Sequence, residues 1–208
     1  DSRIHFERML QDGDAVGSEQ IIAEVSGPAR GILTAERTAL NFLQRMSGIA
    51  TSTARFVRVV AGTGARILDT RKTVPGLRML DKYAVRVGGG ENHRMGLYDM
   101  VLLKENHVEA ADGIGPAVFA VRNAMEKEGR AVKIEVEVET LAELEDAIAV
   151  GVDWIMLDNM DLGQMCRAVE TVQKLPPIRP LLEASGNVTL DNVRDVAETG
   201  VDVISIGA

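Results

Sequence analysis

The chain has 208 residues, 46% of them apolar, and a formal net charge of −8. Its length and apolar content are enough to bury a large core, in one domain or in one domain with a small addition. The negative charge argues against a general binder of nucleic acid or membrane surfaces, because such proteins are usually basic. A single cysteine, Cys166, and the absence of a signal-peptide pattern favour a cytoplasmic protein without disulfides. Since the chain opens on Asp1 rather than on Met, we expect a fragment of a longer protein.

Residues 1–33 predict part of a small, truncated N-terminal α/β subdomain, with short extended stretches around the turn signals "QDGDAVG" and "SGPARG". Residues 34–64 predict connecting helices, because apolar residues recur at helical spacing in "TAERTALNFLQRM" and "ATSTARFVRVVA". Thr34 is suited to the N-cap of the first helix. Between the two helices, Ser47 and Gly48 predict a break or a kink.

Residues 65–208 predict an α/β barrel whose C-terminal end is missing. Four apolar stretches alternate with helix-like segments and end at Glu137, Asp158, Ser185 and Gly207, which are 21, 27 and 22 residues apart. These separations fit one strand, one helix and two loops, and strands that are apolar on both faces predict a parallel sheet. An open doubly wound sheet is the second interpretation, because periodicity alone does not separate it from a barrel.

A cationic group lies at the predicted strand ends, which in an α/β barrel open on one mouth, and in the loop "VGGGENHR", whose three glycines permit close backbone approach. Residues 66–104 carry eight basic and four acidic residues, a net +4 in an acidic chain. Its members are Arg71, Lys72, His93, Arg94 and Lys104, and Thr70, next to Arg71, is a further candidate. Arginine grips carboxylate or phosphate through two hydrogen bonds, and lysine adds a point charge. The group therefore predicts a multiply charged anionic ligand, with a solvated basic face as the alternative.

An acidic group is formed by Glu137 and Asp158, at the ends of two successive predicted strands. Glu135, Glu137 and Glu139 share one face of their strand, and the apolar residues between them should pack on helices, so we expect the carboxylates to point inward. Inward carboxylates need cations, sugar hydroxyls or a metal ion as partners. Mg²⁺ held by one or two carboxylates and a substrate pyrophosphate is a usual arrangement.

Two glycine turns follow the last two predicted strands, in "ASGN" and "IGA". Backbone N–H groups at such turns and helix starts bind phosphate, and the late loops of α/β barrels are a frequent phosphate site. The candidate residues are Ser185, Gly186, Asn187, Gly207 and Ala208. The three groups together predict a phosphorylated sugar and a carboxylated partner in one pocket.

Motifs in the same order run through the whole chain: "AERTALNFLQRMSGIAT", "DTRKTVPGLRMLDKYAVRVGGGENHRMGLYDMVLLKENH", "IEVEVET", "IMLDN", "SGNVT" and "ETGVDVISIGA". In these motifs the chain resembles the quinolinate phosphoribosyltransferases, also called carboxylating nicotinate-nucleotide pyrophosphorylases. The resemblance implies an α/β barrel of fewer than eight strands beside a small N-terminal α/β subdomain. It also implies that quinolinate and phosphoribosyl pyrophosphate react, with Mg²⁺, to give nicotinate mononucleotide, pyrophosphate and carbon dioxide in NAD biosynthesis.

The resemblance implies a role for each motif residue. The residues that would hold the two quinolinate carboxylates are Arg71, His93, Arg94 and Lys104, while Lys72 and Lys104 would face the pyrophosphate. Catalysis would fall to Lys104, Glu137 and Asp158, the two carboxylates engaging the ribose hydroxyls or Mg²⁺. The 5′-phosphate would lie against Ser185, Gly186 and Gly207. Arg37 would enter the site of the neighbouring subunit, which makes a homodimer, or a higher even oligomer, the active unit.

Other functions stay open at this point. A related barrel protein that only binds anions, or a transferase that does not decarboxylate its acid, would show the same groups. A Schiff-base aldolase would use Lys104 as the amine and would want an apolar pocket around it. That last alternative leaves the arginines and the glycine turns unexplained.

Overall fold

The strands form two sheets in the computed structural model, which describes residues 2–207. A small antiparallel pair consists of β1 (His5–Arg8) and β2 (Ala23–Ser26), with His5 opposite Ser26. The larger sheet is parallel and consists of β3 (Arg66–Leu68), β4 (Met100–Leu103), β5 (Lys133–Val138), β6 (Trp154–Asp158), β7 (Leu181–Ser185) and β8 (Val203–Ser205).

Helices connect and cover the parallel strands. They are α1 (Ala29–Val59), α2 (Arg78–Val87), α3 (Glu105–Ala110), α4 (Ile114–Lys127), α5 (Leu141–Ala149), α6 (Leu162–Gln173) and α7 (Val193–Glu198). Capping boxes start two of them, with Thr140 and Glu143 at α5 and Asp161 and Gln164 at α6. Within residues 2–207, no helix combines the length and hydropathy that a membrane span requires.

The strand order of the large sheet is β3-β8-β7-β6-β5-β4. Strands that follow one another in the chain are therefore neighbours from β4 to β8, and β3 pairs with β8. This is the order of a barrel opened between β3 and β4, whereas a doubly wound sheet reverses its order in the middle. The incomplete α/β barrel is confirmed, with six parallel strands in the described part of the chain, and the doubly wound sheet is wrong.

The two faces of β5 show how the sequence separates core from cleft. Ile134, Val136 and Val138 are at most 4% exposed and belong to the core cluster under the helices. The alternate residues Glu135 and Glu137 lie on the other face, as the strand's period of two predicts. The carboxylates of β5 therefore lie inside the barrel.

Helix α1 differs from the prediction. It runs unbroken through Ser47 and Gly48, and it begins at Ala29 after Pro28, so Thr34 is not an N-cap. The Thr34 hydroxyl instead donates to the Arg30 carbonyl at 2.7 Å. The predicted pair of connecting helices is thus a single helix.

Contacts with α2 explain why α1 continues. Arg45 donates from Nε and Nη2 to the Asp81 carboxylate at 2.8 and 2.7 Å. On the other side of Gly48, α1 contacts the end of α2. A Cβ on Gly88 would lie only 2.4 Å from the Ala50 carbonyl oxygen, which shows how closely the two helices approach. These contacts on both sides of Gly48 offset the roughly 1 kcal/mol that a mid-helix glycine costs.

Gly48→Ala is expected to stabilise the protein by about 0.5–1 kcal/mol, because alanine favours a helix interior and a Cβ at position 48 meets nothing within 4 Å. Urea unfolding measures the change in the free energy of unfolding. Gly88→Ala is the matched control, and it should destabilise the protein because its Cβ would collide with Ala50. Destabilisation by Gly48→Ala would show that α1 bends at that position.

Asp202, directly before β8, makes stability depend on pH. Arg179 donates to it from both Nη atoms at 2.8 and 2.7 Å, and the Leu182 amide donates at 2.8 Å. Burial raises the pKa of Asp202, but these donors outweigh burial and lower it. A lowered folded-state pKa stabilises the protein above the unfolded pKa of about 3.9, and this contribution is lost as the pH falls through the folded value.

Asp202→Asn is expected to cost about 1–3 kcal/mol of unfolding free energy at neutral pH, since hydrogen bonds to a charged group are lost. The difference from the wild type should shrink as the pH falls below about 4, where the wild-type carboxylate also becomes protonated. Urea unfolding of both proteins at several pH values measures the difference in unfolding free energy and its dependence on pH. An equal difference at every pH would contradict the claim that the charged form of Asp202 stabilises the fold.

Candidate active site

A cleft of about 680 Å³ opens where the parallel strands end. Its lining consists of Asp69, Thr70, Arg71, Lys72, His93, Arg94, Leu102, Lys104, Glu137, Met156, Asp158, Asn159, Glu183, Ser185, Gly186, Asn187, Val188, Ser205 and Gly207. The structure thus brings together the three predicted groups. Arg37 is exposed on α1 and does not line this cleft, and Ala208 lies outside the described residues.

Two arginines form the cationic wall. Arg94 is partly buried and donates from Nη1 to the Met100 carbonyl at 3.2 Å. Burial lowers the pKa of Arg94, and the positive charge of Arg71 lowers it further by a smaller amount. Two guanidinium groups that repel each other in a cleft are stabilised by an anion between them, so this wall is suited to a carboxylate or phosphate.

A buried ion pair holds the loops that carry these arginines. The Lys82 ammonium, 1% exposed, contacts the Asp69 carboxylate and donates to the His93 carbonyl at 2.9 Å. Asp69 also accepts from the His93 amide at 2.9 Å and from the Asn92 side chain. The end of β3, which leads to Arg71, is thereby tied to the segment that leads to Arg94.

The His93 ring has protein neighbours at both nitrogens. Nδ1 accepts from the Arg94 amide at 2.8 Å, while Nε2 lies 3.0 Å from Glu135 Oε2 and 3.2 Å from Glu183 Oε2. The His93 side chain is 6% exposed and both glutamates are fully buried. Nε2 and the oxygens of both carboxylates lie within ion-pair distance of each other, but none of them has a hydrogen-bond partner among the described residues.

The contacts of the His93 ring have opposing effects on its protonation. Burial lowers the pKa of His93, but Glu135 and Glu183 outweigh it and raise the pKa to about 10. Burial raises the pKa of Glu135 to about 7, against the effect of the nearby ring. The Arg94 amide opposes a doubly protonated ring, because two N–H groups would then face each other across 2.8 Å. The hydrogen bond at Nδ1 thus opposes the effect of the two carboxylates, and it places the proton of a neutral ring on Nε2.

The acidic group lies across the cleft at the ends of β5 and β6. Glu137, mostly buried, makes an ion pair with Lys104, whose side chain is 49% exposed. Asp158 accepts from the Asn159 side chain at 2.8 Å, and Asn159 in turn accepts from Asn187 at 3.0 Å. Lys104 therefore lies at a charged, open rim rather than in the apolar pocket that a Schiff-base lysine would want.

The two glycine turns follow the neighbouring strands β7 and β8 and line the cleft together with Lys72. Gly186 has a φ of +98°, and a Cβ there would lie 2.1 Å from Asn159 Oδ1, so only glycine fits. A Cβ on Gly207 would lie 3.6 Å from Lys72 Cδ. An ammonium group and two glycine-containing loops along the same cleft are suited to a phosphate.

Sequence reasoning missed several polar residues of the site, among them Lys82, Asn159 and Glu183. Glu183 is a lone charge inside the apolar stretch "PLLEAS", two residues before Ser185 and so on the same face of β7. Asn159 follows Asp158 directly in "IMLDN". Strand alternation could have found Glu183, whereas Asn159 lies beyond the end of β6 and Lys82 gave no local signal.

The chain is similar to known proteins along its whole length. Residues 49–208 match the quinolinate phosphoribosyl transferase C-terminal domain, and residues 2–47 match the N-terminal domain of the same family. The chain is 47% identical over 199 residues to the nicotinate-nucleotide pyrophosphorylase (carboxylating) of Mycobacterium leprae, covering 96% of this chain and 68% of that relative. It is 43% identical over 223 aligned positions to the mitochondrial quinolinate phosphoribosyltransferase (decarboxylating) 2a of Nicotiana tabacum, covering all of this chain and 62% of that relative.

A solved structure shows the same architecture. The nicotinate-nucleotide pyrophosphorylase from Francisella tularensis superposes with a TM-score of 0.93 at 42% sequence identity, over 100% of this chain and 71% of that one. The chain spans about two thirds of the length of the relatives it matches. Both family domains, in order and at this level of identity, establish the relationship. The chain belongs to the quinolinate phosphoribosyl transferase family.

Proposed function

We propose that the protein containing this chain transfers the phosphoribosyl group of phosphoribosyl pyrophosphate to quinolinate and releases carbon dioxide and pyrophosphate. The product is nicotinate mononucleotide. The observation that carries the proposal is the single cleft that joins an arginine pair, two carboxylates and two glycine turns. A dicarboxylate, a ribose and a phosphate would each find a matching wall there.

The cationic wall would bind both acidic substrates. Arg71 and Arg94 can each form two parallel hydrogen bonds to a carboxylate, which suits the two acid groups of quinolinate. Lys72 and Lys104 offer single positive charges toward the pyrophosphate. His93, Thr70 and the Arg37 side chain of a second copy stay predicted contacts of the substrates.

The acidic wall would bind the ribose. Glu137 and Asp158 present carboxylate oxygens into the cleft, and these accept hydrogen bonds from sugar hydroxyls. Oxygen ligands of this kind also fit Mg²⁺, which Glu137 and Asp158 would hold together with pyrophosphate oxygens. When bound, Mg²⁺ would neutralise the charge on the leaving pyrophosphate. Ser185, Gly186 and the Gly207 turn would hold the 5′-phosphate.

Positioning and electrostatics would supply most of the rate. As pyrophosphate leaves, positive charge develops on the ribose ring beside Glu137 and Asp158, which stabilise it. The pyridine nitrogen then attacks the ribose from a ring held by the arginines. Its bond to the sugar makes the pyridine ring positive, so the adjacent carboxylate leaves as carbon dioxide and its electron pair stays on the ring carbon until a proton arrives.

The test is an assay of the full-length protein with quinolinate, phosphoribosyl pyrophosphate and Mg²⁺. Equal amounts of carbon dioxide and pyrophosphate, released only when both substrates are present, are expected. Pyrophosphate without carbon dioxide would mean a transferase for a different acid. Quinolinate binding with neither product would mean an anion-binding relative, and a substrate trapped on Lys104 by borohydride would mean a Schiff-base enzyme.

We also propose a dimer as the active unit and a cytoplasmic setting.

Gly186→Ala is expected to raise the KM for phosphoribosyl pyrophosphate about tenfold or more, because an added Cβ would displace Asn159 and distort the phosphate turn. The KM for quinolinate should change little. Gly129→Ala is the matched control: its φ is also positive, +63°, but its Cβ would meet nothing within 4 Å. Steady-state kinetics with each substrate varied gives the comparison. An equal rise in both KM values would contradict a local phosphate site.

A further inference from the structure

We propose that Arg78 is a positioning residue that fixes the distance between Arg71 and Arg94, the two arginines of the cationic wall. This inference rests on the proposed function, because those arginines are the groups that would bind the quinolinate carboxylates. Arg78 opens helix α2, is partly buried, and is not among the described residues that line the cleft. Its effect on the substrate would therefore pass through the two loops that its side chain joins.

The Arg78 guanidinium contacts both loops of the cationic wall. Nε donates to the Thr73 hydroxyl at 3.2 Å and Nη2 donates to the Arg71 carbonyl at 3.4 Å, and both acceptors lie in the loop after β3. Nη1 donates to the Met95 carbonyl at 3.1 Å, in the loop that carries Arg94. One planar group thus connects the two loops through three hydrogen bonds.

Lys82 makes a second connection between the same loops, one helical turn further along α2. Residues four apart lie on the same face of a helix, so Arg78 and Lys82 belong to one face of α2. The Lys82 contacts, with Asp69 and with the His93 carbonyl, precede the two arginines in the chain. The Arg78 contacts lie at and after them. The backbone around each arginine of the wall is therefore held on both sides by the same helix.

Both ends of the Arg78 connection are themselves anchored. At the helix end, the Asp81 carboxylate accepts from Arg45 of α1 at 2.8 and 2.7 Å. At the loop end, the Asp99 carboxylate accepts from the Met95 amide at 2.6 Å. Arg78 therefore joins a helix that is fixed on α1 to a turn that is closed by its own hydrogen bond, and loss of Arg78 would free the loops to move apart.

The chemistry of the substrate makes this distance matter. Quinolinate carries its carboxylates on adjacent ring carbons, so two arginines can bind both groups only at one separation. The guanidinium of Arg78 reaches both loops, whereas a lysine at this position would offer a single point charge. A methionine would keep an apolar stem and remove every donor. The two substitutions therefore separate the connection between the loops from the charge.

Steady-state kinetics of the full-length protein tests the proposal. Arg78→Met is expected to raise the KM for quinolinate about tenfold, with a smaller rise in the KM for phosphoribosyl pyrophosphate and with kcat within about threefold of the wild type. Arg78→Lys should raise the quinolinate KM by about threefold or more, because the charge alone does not restore the connection. An unchanged quinolinate KM in Arg78→Met, or a fall in kcat without a change in KM, would overturn the proposal.

Arg86→Met is the matched control. Arg86 is an exposed arginine of the same helix, it lies over the Tyr83 ring at 5.9 Å, and it is not among the described residues that line the cleft. Its substitution should leave the quinolinate KM unchanged. A rise equal to that of Arg78→Met would overturn the proposal, since any lost positive charge on α2 would then have the same effect.

Hydrogen exchange followed by mass spectrometry gives a test that needs no substrate. Both loops contain hydrogen-bonded amides, among them Thr73, which donates to the Arg71 carbonyl at 2.9 Å, and Met95. In Arg78→Met, exchange in peptides covering residues 70–77 and 93–99 should quicken about tenfold or more, while β5, β6 and β7 keep the wild-type rates. Unchanged exchange in either loop would overturn the proposal. Faster exchange throughout the barrel would also overturn it, since Arg78 would then stabilise the fold as a whole.

The two tests keep this inference apart from the proposed function. If the wild type does not convert quinolinate, the proposed function fails, and the exchange rates alone decide whether Arg78 joins the two loops. If the wild type converts quinolinate and Arg78→Met does so with the same KM, the proposed function stands and the positioning role fails.

Discussion

Arg94→Ala is expected to raise the KM for quinolinate by about 10- to 100-fold, with a smaller effect on the KM for phosphoribosyl pyrophosphate. A charge-assisted hydrogen bond contributes about 1.5–3 kcal/mol, and the guanidinium would make more than one to a carboxylate. Arg94 is also the residue on which the buried contacts around Asp69 and His93 converge. Steady-state kinetics with quinolinate as the varied substrate measures the effect, and Arg71→Ala should behave alike.

Arg122→Ala is the matched control. Arg122 is an exposed arginine of α4 that donates to the Gly151 carbonyl at 2.7 Å, and it does not line the cleft. Its loss should leave both KM values unchanged. Unchanged quinolinate kinetics in both Arg71→Ala and Arg94→Ala would remove the assignment of the carboxylate-binding wall.

Lys82→Met is expected to destabilise the protein by about 3–5 kcal/mol, because it leaves the buried Asp69 carboxylate without its counter-charge. Whatever protein remains folded should also bind quinolinate less tightly, since Asp69 and Lys82 hold the segment that carries Arg94. Urea unfolding measures the first effect and isothermal calorimetry the second. The combined effect follows from the structure alone, because nothing in the local sequence marks Lys82 as special.

Two further variants test whether the unpaired Asp69 carboxylate causes the destabilisation by Lys82→Met. Arg66→Met removes a pair with Glu91 that is about half exposed, and should cost at most about 1 kcal/mol. Adding Asp69→Asn to Lys82→Met removes the orphaned charge, so the double variant should be more stable than Lys82→Met alone. A double variant that is less stable would show that the other hydrogen bonds of Asp69 matter more than its charge.

The fold was largely predictable because strand alternation and βα spacing are local. Glu137, Asp158, Ser185 and Gly207 were placed at strand ends by the lengths between them, and all four line the cleft. The parallel sheet brought them together without any further information. Arg71, Lys72 and Lys104 were predicted in the same way, whereas His93 and Arg94 were assigned from the glycine-containing loop "VGGGENHR".

The misses share a physical cause, which is contact between segments far apart in the chain. Gly48 is a helix-weakening residue, but Asp81 and Gly88 of another helix hold α1 across it. Lys82 reads as a surface residue of a helix until Asp69 and the His93 carbonyl bury its ammonium. The restraint on the His93 ring likewise depends on partners from two distant strands.

The most direct test of the account is a crystal structure of the full-length protein with quinolinate and an unreactive phosphoribosyl pyrophosphate analogue. We expect the quinolinate carboxylates about 2.7–2.9 Å from Arg71 and Arg94 nitrogens, and the ribose hydroxyls against Glu137 and Asp158. The 5′-phosphate should lie in the Gly186 and Gly207 turns. Quinolinate bound away from the arginines, or the two ligands in separate cavities, would contradict the single cleft on which the proposed reaction depends.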